Sequence, residues 1–235
     1  MRRLRTAVVA LVVAAGSVLV WPGPTGAQTG AQAGAIDAAK KICDAAVARR
    51  LTSLASVKAD LDATPSVASA DRATLDAQIE ATSTGLTALK ATFDADSTLA
   101  KVRTDCRRVV SDYRVDALLI PRVELVRAAG RVQAAAGTLK HLAGLLQAEV
   151  NAAKGRNKDI TSAQGYVTDL GLKADAATKA VAGIPTAVLP LDAAGYPGNQ
   201  PVLVGARASV ASAHGALTGA IAAAGSAIAA LKALG

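Results

Sequence analysis

Two cysteines, two histidines and 18 acidic side chains are the groups in this 235-residue chain with the types to do chemistry. Cysteines hold metals or cycle between redox states when they sit in tight motifs such as Cys-x-x-Cys. Cys43, in KICDAAV, and Cys106, in DCRRVV, have no such spacing. His141 and His214 stand far apart, and neither has a zinc-motif partner. Asp94 and Asp96 resemble the opening of a calcium loop. Position 105 is Asp105 rather than the closing glutamate, and no glycine marks the midpoint, so the two aspartates read as helix-capping residues. There is no Gly-x-Ser-x-Gly elbow and no glycine loop to cradle a phosphate. No residue is assigned a catalytic, cofactor-binding or metal-ligating role. The expectation is a protein that is not an enzyme and carries no cofactor or metal. A pair of acids of glycosidase type keeps an enzyme of unrecognised class as a minor alternative.

The destination of the chain gives the cysteines a different role. Arg2, Arg3 and Arg5 precede the uncharged run Thr6 to Val20, and small residues follow. This is the pattern of a secretory signal peptide, residues 1–27, with cleavage after Ala27 or Ala33. The run is shorter than the roughly 20 residues that a spanning helix needs. A secreted or cell-envelope location is expected, and exported proteins meet oxidants. The precursor has 26 basic and 18 acidic residues, a net charge of +8. That permits attraction to an acidic polymer or membrane surface without specifying one. Nucleic-acid recognition is not expected. After Trp21 the aromatics are Phe93, Tyr113, Tyr166 and Tyr196, too few to stack bases or sugars.

The elements that must position these residues are helices. QTGAQAG, residues 28–34, reads as a flexible lead. A first helix over about 35–64 carries Ile36, Cys43, Val47, Leu54, Val57 and Leu61, and Pro65 stops it. A second, over about 69–93, has the most regular stripe: Leu75, Ile79, Thr82, Leu86, Leu89 and Phe93. A third begins near Ser97, capped by Asp96 or Ser97. Pro121 ends it or kinks it into a fourth, with Val123, Val126, Leu139, Leu142, Leu145, Leu146 and Val150. A fifth covers about 159–181 and a sixth about 202–234. The expected fold is all-α: extended, coiled-coil-like, up-down-up bundles. Residues 35–120 form an N-terminal three-helix bundle. Residues 121–235 form a second, with a Pro/Gly-rich connection at 183–201.

In an up-down-up bundle the first and third helices run parallel. Cys43 and Cys106 then lie at nearly the same height, both on apolar stripes. The reading is an intrachain disulfide worth about 2–4 kcal/mol. Two free buried thiols or an intermolecular bridge are the alternatives.

Arg103, Arg107 and Arg114 are placed on one face of the third helix, and Arg108, Arg122, Arg127 and Arg131 extend its positive character toward the fourth. Interleaved acids make this a solvated, salt-bridged face first and an anion-binding surface second. KICDAAVARRLTSL, DRATLDAQI and DCRRVVSDYRVDALLIPRVELVRAA resemble exported, alanine-rich helical proteins of actinobacteria that carry no assigned function. The resemblance covers residues 40–129, with Cys43, Cys106, Tyr113, Arg114 and Pro121 as its marks, and it implies no catalytic residue. The leading expectation is a structural or protein-interaction role with an unspecified protein or envelope component as partner. The alternative rests on Ala208 to Leu231, which carries no formal charge and contains Gly215 and Gly219 in a Gly-x-x-x-Gly step. It is association with a membrane or envelope polymer, through that uncharged helix and the basic faces.

Overall fold

A computed structural model describes residues 25–235. The signal sequence read from residues 1–27 lies outside the described residues up to position 24. The chain is all-α: α1 (Thr25–Asp62), α2 (Ser69–Ala95), α3 (Leu99–Ser111), a π-helical turn (Val115–Leu119), α4 (Ile120–Gly155), α5 (Thr161–Val181), α6 (Ile184–Val188) and α7 (Gln200–Ala233). No strand occurs among the described residues.

The apolar stripes become the core. Leu75, Ile79, Leu86, Leu89 and Phe93 are the buried side of α2, facing Cys43, Val47, Leu54, Val57 and Leu61 of α1. Cross-helix ion pairs record the antiparallel register. Lys58 meets Asp76 at one end of the pair at 3.1 Å, and Lys90 meets Asp44 toward the other. The carboxylates hold both lysines above their ordinary value. Helix α3 returns parallel to α1. Cys43 and Cys106 are joined by a disulfide with Cα atoms 5.4 Å apart, across 63 positions of sequence. By chain entropy, closing such a loop stabilises by about 4 kcal/mol.

Four details depart from the sequence reading. Residues 28–34 are not a flexible lead but part of α1. Thr98 caps α3, its hydroxyl accepting the Lys101 amide at 3.4 Å; Asp96 is buried instead and paired with Lys101. Pro121 neither ends nor kinks α3, which stops at Ser111. Arg114, left-handed at φ 45°, redirects the chain into the π-helical turn. Pro121 sits in the first turn of α4, where its missing N–H costs nothing. Finally, Leu145 is 55% exposed rather than in the core stripe.

The second half of α4 packs with α5 and α7 around Leu146, Val150, Val167, Leu170, Ala220, Ala224 and Ala227. Lys140 to Asp175, at 2.6 Å, fixes the α4–α5 register and holds the Asp175 carboxyl below its usual range. The core crosses the expected boundary at 120/121. Val123, Val126, Ala129 and Val132 from the first half of α4 share one cluster with α1, α2 and α3. The 183–201 connection contains α6, which adds Ile184 and Val188 to that cluster.

Where α4 crosses the α1–α2 turn, Gly130 is the contact. A Cβ there would lie 2.6 Å from the Ser66 carbonyl oxygen, whereas one at Gly144 would meet nothing within 4 Å. Gly130→Ala is therefore expected to destabilise by about 1–3 kcal/mol through backbone overpacking. Gly144→Ala is expected to stabilise by about 0.5–1 kcal/mol, because a helix interior prefers alanine. Denaturant titration of the two variants checks both signs.

Candidate functional site

The arginines divide into those spent on the fold and those left free. Arg72 turns its guanidinium onto the end of α1, donating to the carbonyls of Leu61 at 2.7 Å and Thr64 at 2.6 Å. A helix end leaves carbonyls without intrahelical partners, and a cation there satisfies them with charge-assisted bonds. Arg127 and Arg131 come to the same turn from α4, both donating to the Thr64 hydroxyl, at 3.1 and 3.3 Å. Arg127 also pairs with Asp60 at 3.3 Å. Arg122, 6% exposed, donates to the carbonyls of Leu189 and Leu191 after α6. Burial pushes its pKa down, and the nearby Asp192 opposes that shift. Arg114 stacks on the Tyr196 ring, with Cζ 4.8 Å from the centroid. It lies beyond the end of α3, so it shares no helical face with Arg103 and Arg107. The continuous basic face expected from sequence is thus broken into separate structural tasks.

Sequence reasoning did not single out Arg72, and it placed Arg122 only on the basic face, with no role at a helix end. Their signal is position opposite a helix terminus, which exists only once the topology is known.

Arg103 and Arg107 remain on the surface of α3. Among the described residues neither pairs with an acid, while Lys101 and Arg108 on the same helix bind Asp96, Asp105 and Asp112. Beside them, α1 and α3 enclose a groove of about 630 Å³. Its lining is alanine and aliphatic side chains, the two bridged cysteines, and Arg103 and Arg107 themselves.

A second apolar surface is the outward side of α7. Leu203, Ala206, Ala213, Ala220, Ala223 and Ala227 face the core. The outward side exposes Val204 at 59% and Ile221 at 62%, with Ala208, Ala211, Thr218, Ala222 and Gly225, and the polar Arg207, Ser212 and His214, also exposed along it. Gly215 is on this outer side. Gly219 instead lies under Lys173 of α5, whose Cε would be 2.8 Å from a Cβ at that position. The two glycines do not form one open contact surface.

A third feature is a cleft of about 260 Å³ at the junction, of mixed lining, in which Asp112, Tyr113, Arg122 and Asp192 lie beside Leu118 and Leu119. Tyr113 fits there because Gly85 has no side chain; a Cβ would lie 2.7 Å from the Tyr113 hydroxyl. The Ser111 hydroxyl, followed by Arg108, holds Asp112 below the usual carboxylate range. Asp112 accepts from Arg108 and Ser111 of the preceding helix, Arg122 donates to the Leu191 carbonyl, and Asp192 accepts from the Gly195 amide of its own loop. No group of three or more His, Cys, Asp or Glu suited to a metal occurs among the described residues. Comparison with protein-family models, curated proteins and solved structures finds no match.

The division of arginines has a measurable consequence. Arg72→Ala removes two charge-assisted bonds at the end of α1, leaving the Leu61 and Thr64 carbonyls only the Thr64 and Val67 amides, and is expected to cost about 1.5–3 kcal/mol. Arg103→Ala and Arg107→Ala are expected to leave the unfolding midpoint unchanged. Thermal unfolding of the three variants tests this.

Proposed function

We propose that the chain is an exported, envelope-located helical bundle that associates with membrane surfaces through the outer side of α7, without catalysis. The observation that carries the reading is a mismatch between hydropathy and burial. An 18-residue window of α7 has mean hydropathy 1.5, yet only 22% of it is buried. A core helix of that composition would be mostly covered by the protein. Here the apolar surface faces outward, over a stretch from Ala208 to Leu231 without formal charge. An exposed, largely apolar helix side of this kind marks a protein or membrane interaction.

The contact is peripheral rather than spanning. To cross a bilayer α7 would have to leave α4 and α5, dismantling the cluster of Ala220, Ala223, Ala224 and Ala227 with Leu170 and Val150. Lying in the interface keeps that core and covers Val204, Ile221 and Ile228. Exposed Arg207, between Val204 and Ile221, and exposed Lys232, beyond Ile228, can reach anionic headgroups. A protein partner, the leading expectation from sequence, could cover this surface instead, and the experiment separates the two.

Flotation with vesicles of phosphatidylglycerol and phosphatidylcholine supplies the test. Parent protein is expected to float, and Val204→Asp/Ile221→Asp to float at least about tenfold less, since each large aliphatic side chain contributes about 1.5–3 kcal/mol when covered. Both residues are exposed, so circular dichroism should be unchanged. A parent that stays at the bottom, or a variant that floats equally well, contradicts the proposal.

A further inference from the structure

The groove between α1 and α3 lies on helices that the α7 reading does not use, and its chemistry specifies a ligand. We propose that it binds a single-chain anionic amphiphile, a long-chain fatty carboxylate, with the alkyl chain along the groove and the carboxylate held by Arg103 and Arg107.

The volume, about 630 Å³, falls within the roughly 300–1,000 Å³ of small-molecule sites. Small side chains create the space. Ala35, Ala38 and Ala39 leave α1 shallow where it runs beside α3, and the Cys43–Cys106 bridge keeps the two helices together beneath the opening. The lining runs on α3 from Leu99 to Val110, about 16 Å at 1.5 Å per residue. Ile42 and Val110 stand on it 70% and 47% exposed. An alkyl chain laid along this path covers both and needs no hydrogen bond in return. A sugar or peptide would find almost no polar partners there.

The polar part of the ligand is set by the two arginines. They are four residues apart on α3, so they project from one side of the helix as neighbours. Like charges at that spacing repel, and an anion between them relieves the repulsion. No protein carboxylate does this among the described residues. Asp105, between them in sequence, is buried and binds Lys101 and Arg108. Asp44, next to Cys43 on α1, is held by Lys90 of α2. Asp37, beside Ala38 on α1, is exposed and pairs with neither arginine. The two guanidiniums are thus available for a planar, bidentate partner, which a carboxylate is.

The experiment compares dodecanoate with dodecyltrimethylammonium, both as monomers, by isothermal titration calorimetry of the purified full chain. Parent and variants carry the same N-terminus, so the leader contributes equally to each. The parent is expected to bind dodecanoate with one site in the groove, about tenfold or more tighter than the cation. Arg103→Ala/Arg107→Ala should weaken dodecanoate by about tenfold or more and abolish the preference for the anion. Ala38→Trp, which fills the groove from an exposed position, should block binding of both. Val204→Asp/Ile221→Asp, on α7, should bind as the parent does, which separates this result from the membrane reading. The proposal is overturned by a parent that binds no dodecanoate or shows no preference for it. It is also overturned if the double arginine variant binds dodecanoate as well as the parent, or if a laurate-containing vesicle is bound while the monomer is not.

Discussion

The side chains between these helices are small, and the rest of the architecture follows from that. A single phenylalanine, Phe93, is the largest fully buried residue. The α5–α7 seam is built largely on Ala163, Ala174, Ala177, Ala213 and Ala220, with Val and Leu at intervals. Alanine suits both helix formation and close packing, but each residue removes little apolar surface from water. Long helices compensate with many such contacts. The N-terminal half, where α3 is short, also has a covalent tie. The bridge holds α1 and α3 in parallel, and the shallow alanines beside it leave a groove rather than a filled seam. On α7 the same economy has the opposite effect. Because alanine fills the inner side, the larger Val204, Ile221 and Ile228 are free to face outward.

Small cores also leave helix ends close to one another, and the basic residues resolve that crowding. Arg72 and Arg122 each take two backbone carbonyls that no helix satisfies, and Arg127 and Arg131 share the Thr64 hydroxyl. Gly130 lets α4 approach the same turn. These contacts join the two halves into one cluster that includes α1, α2, α3 and the first half of α4. The net positive charge is therefore partly structural. What remains for partners is a smaller set, in which Arg103 and Arg107 are the two that line an apolar groove.

The helical class and the α2 stripe were legible because Leu75, Ile79, Leu86, Leu89 and Phe93 recur with helical period and alternate with polar residues. The Cys43–Cys106 bridge was legible from two heights on parallel helices. The lead at 28–34 was misread because glycines in QTGAQAG outweighed a helix that continues through them. The end of α3 was misplaced because Tyr113 and Ala117 keep the apolar period past Ser111. The left-handed residue that breaks the helix is an arginine, which carries none of the usual signal of a glycine. The two sides of α7 could not be told apart, since alanine, glycine and serine occupy both. The groove was invisible for the same reason: three alanines on α1 are unremarkable until α3 lies beside them.

The most direct test of the account places a nitroxide on the outer side of α7, at Thr218→Cys, and another on α4 at exposed Glu149→Cys. Power-saturation spectroscopy then reads the accessibility of each label to oxygen and to a water-soluble nickel chelate as anionic vesicles are added. A membrane-facing α7 predicts that the label at 218 gains oxygen and loses nickel accessibility, while the label at 149 stays aqueous. If the label at 218 keeps the aqueous signature of the label at 149, the apolar outer side does not meet a membrane and the account is contradicted.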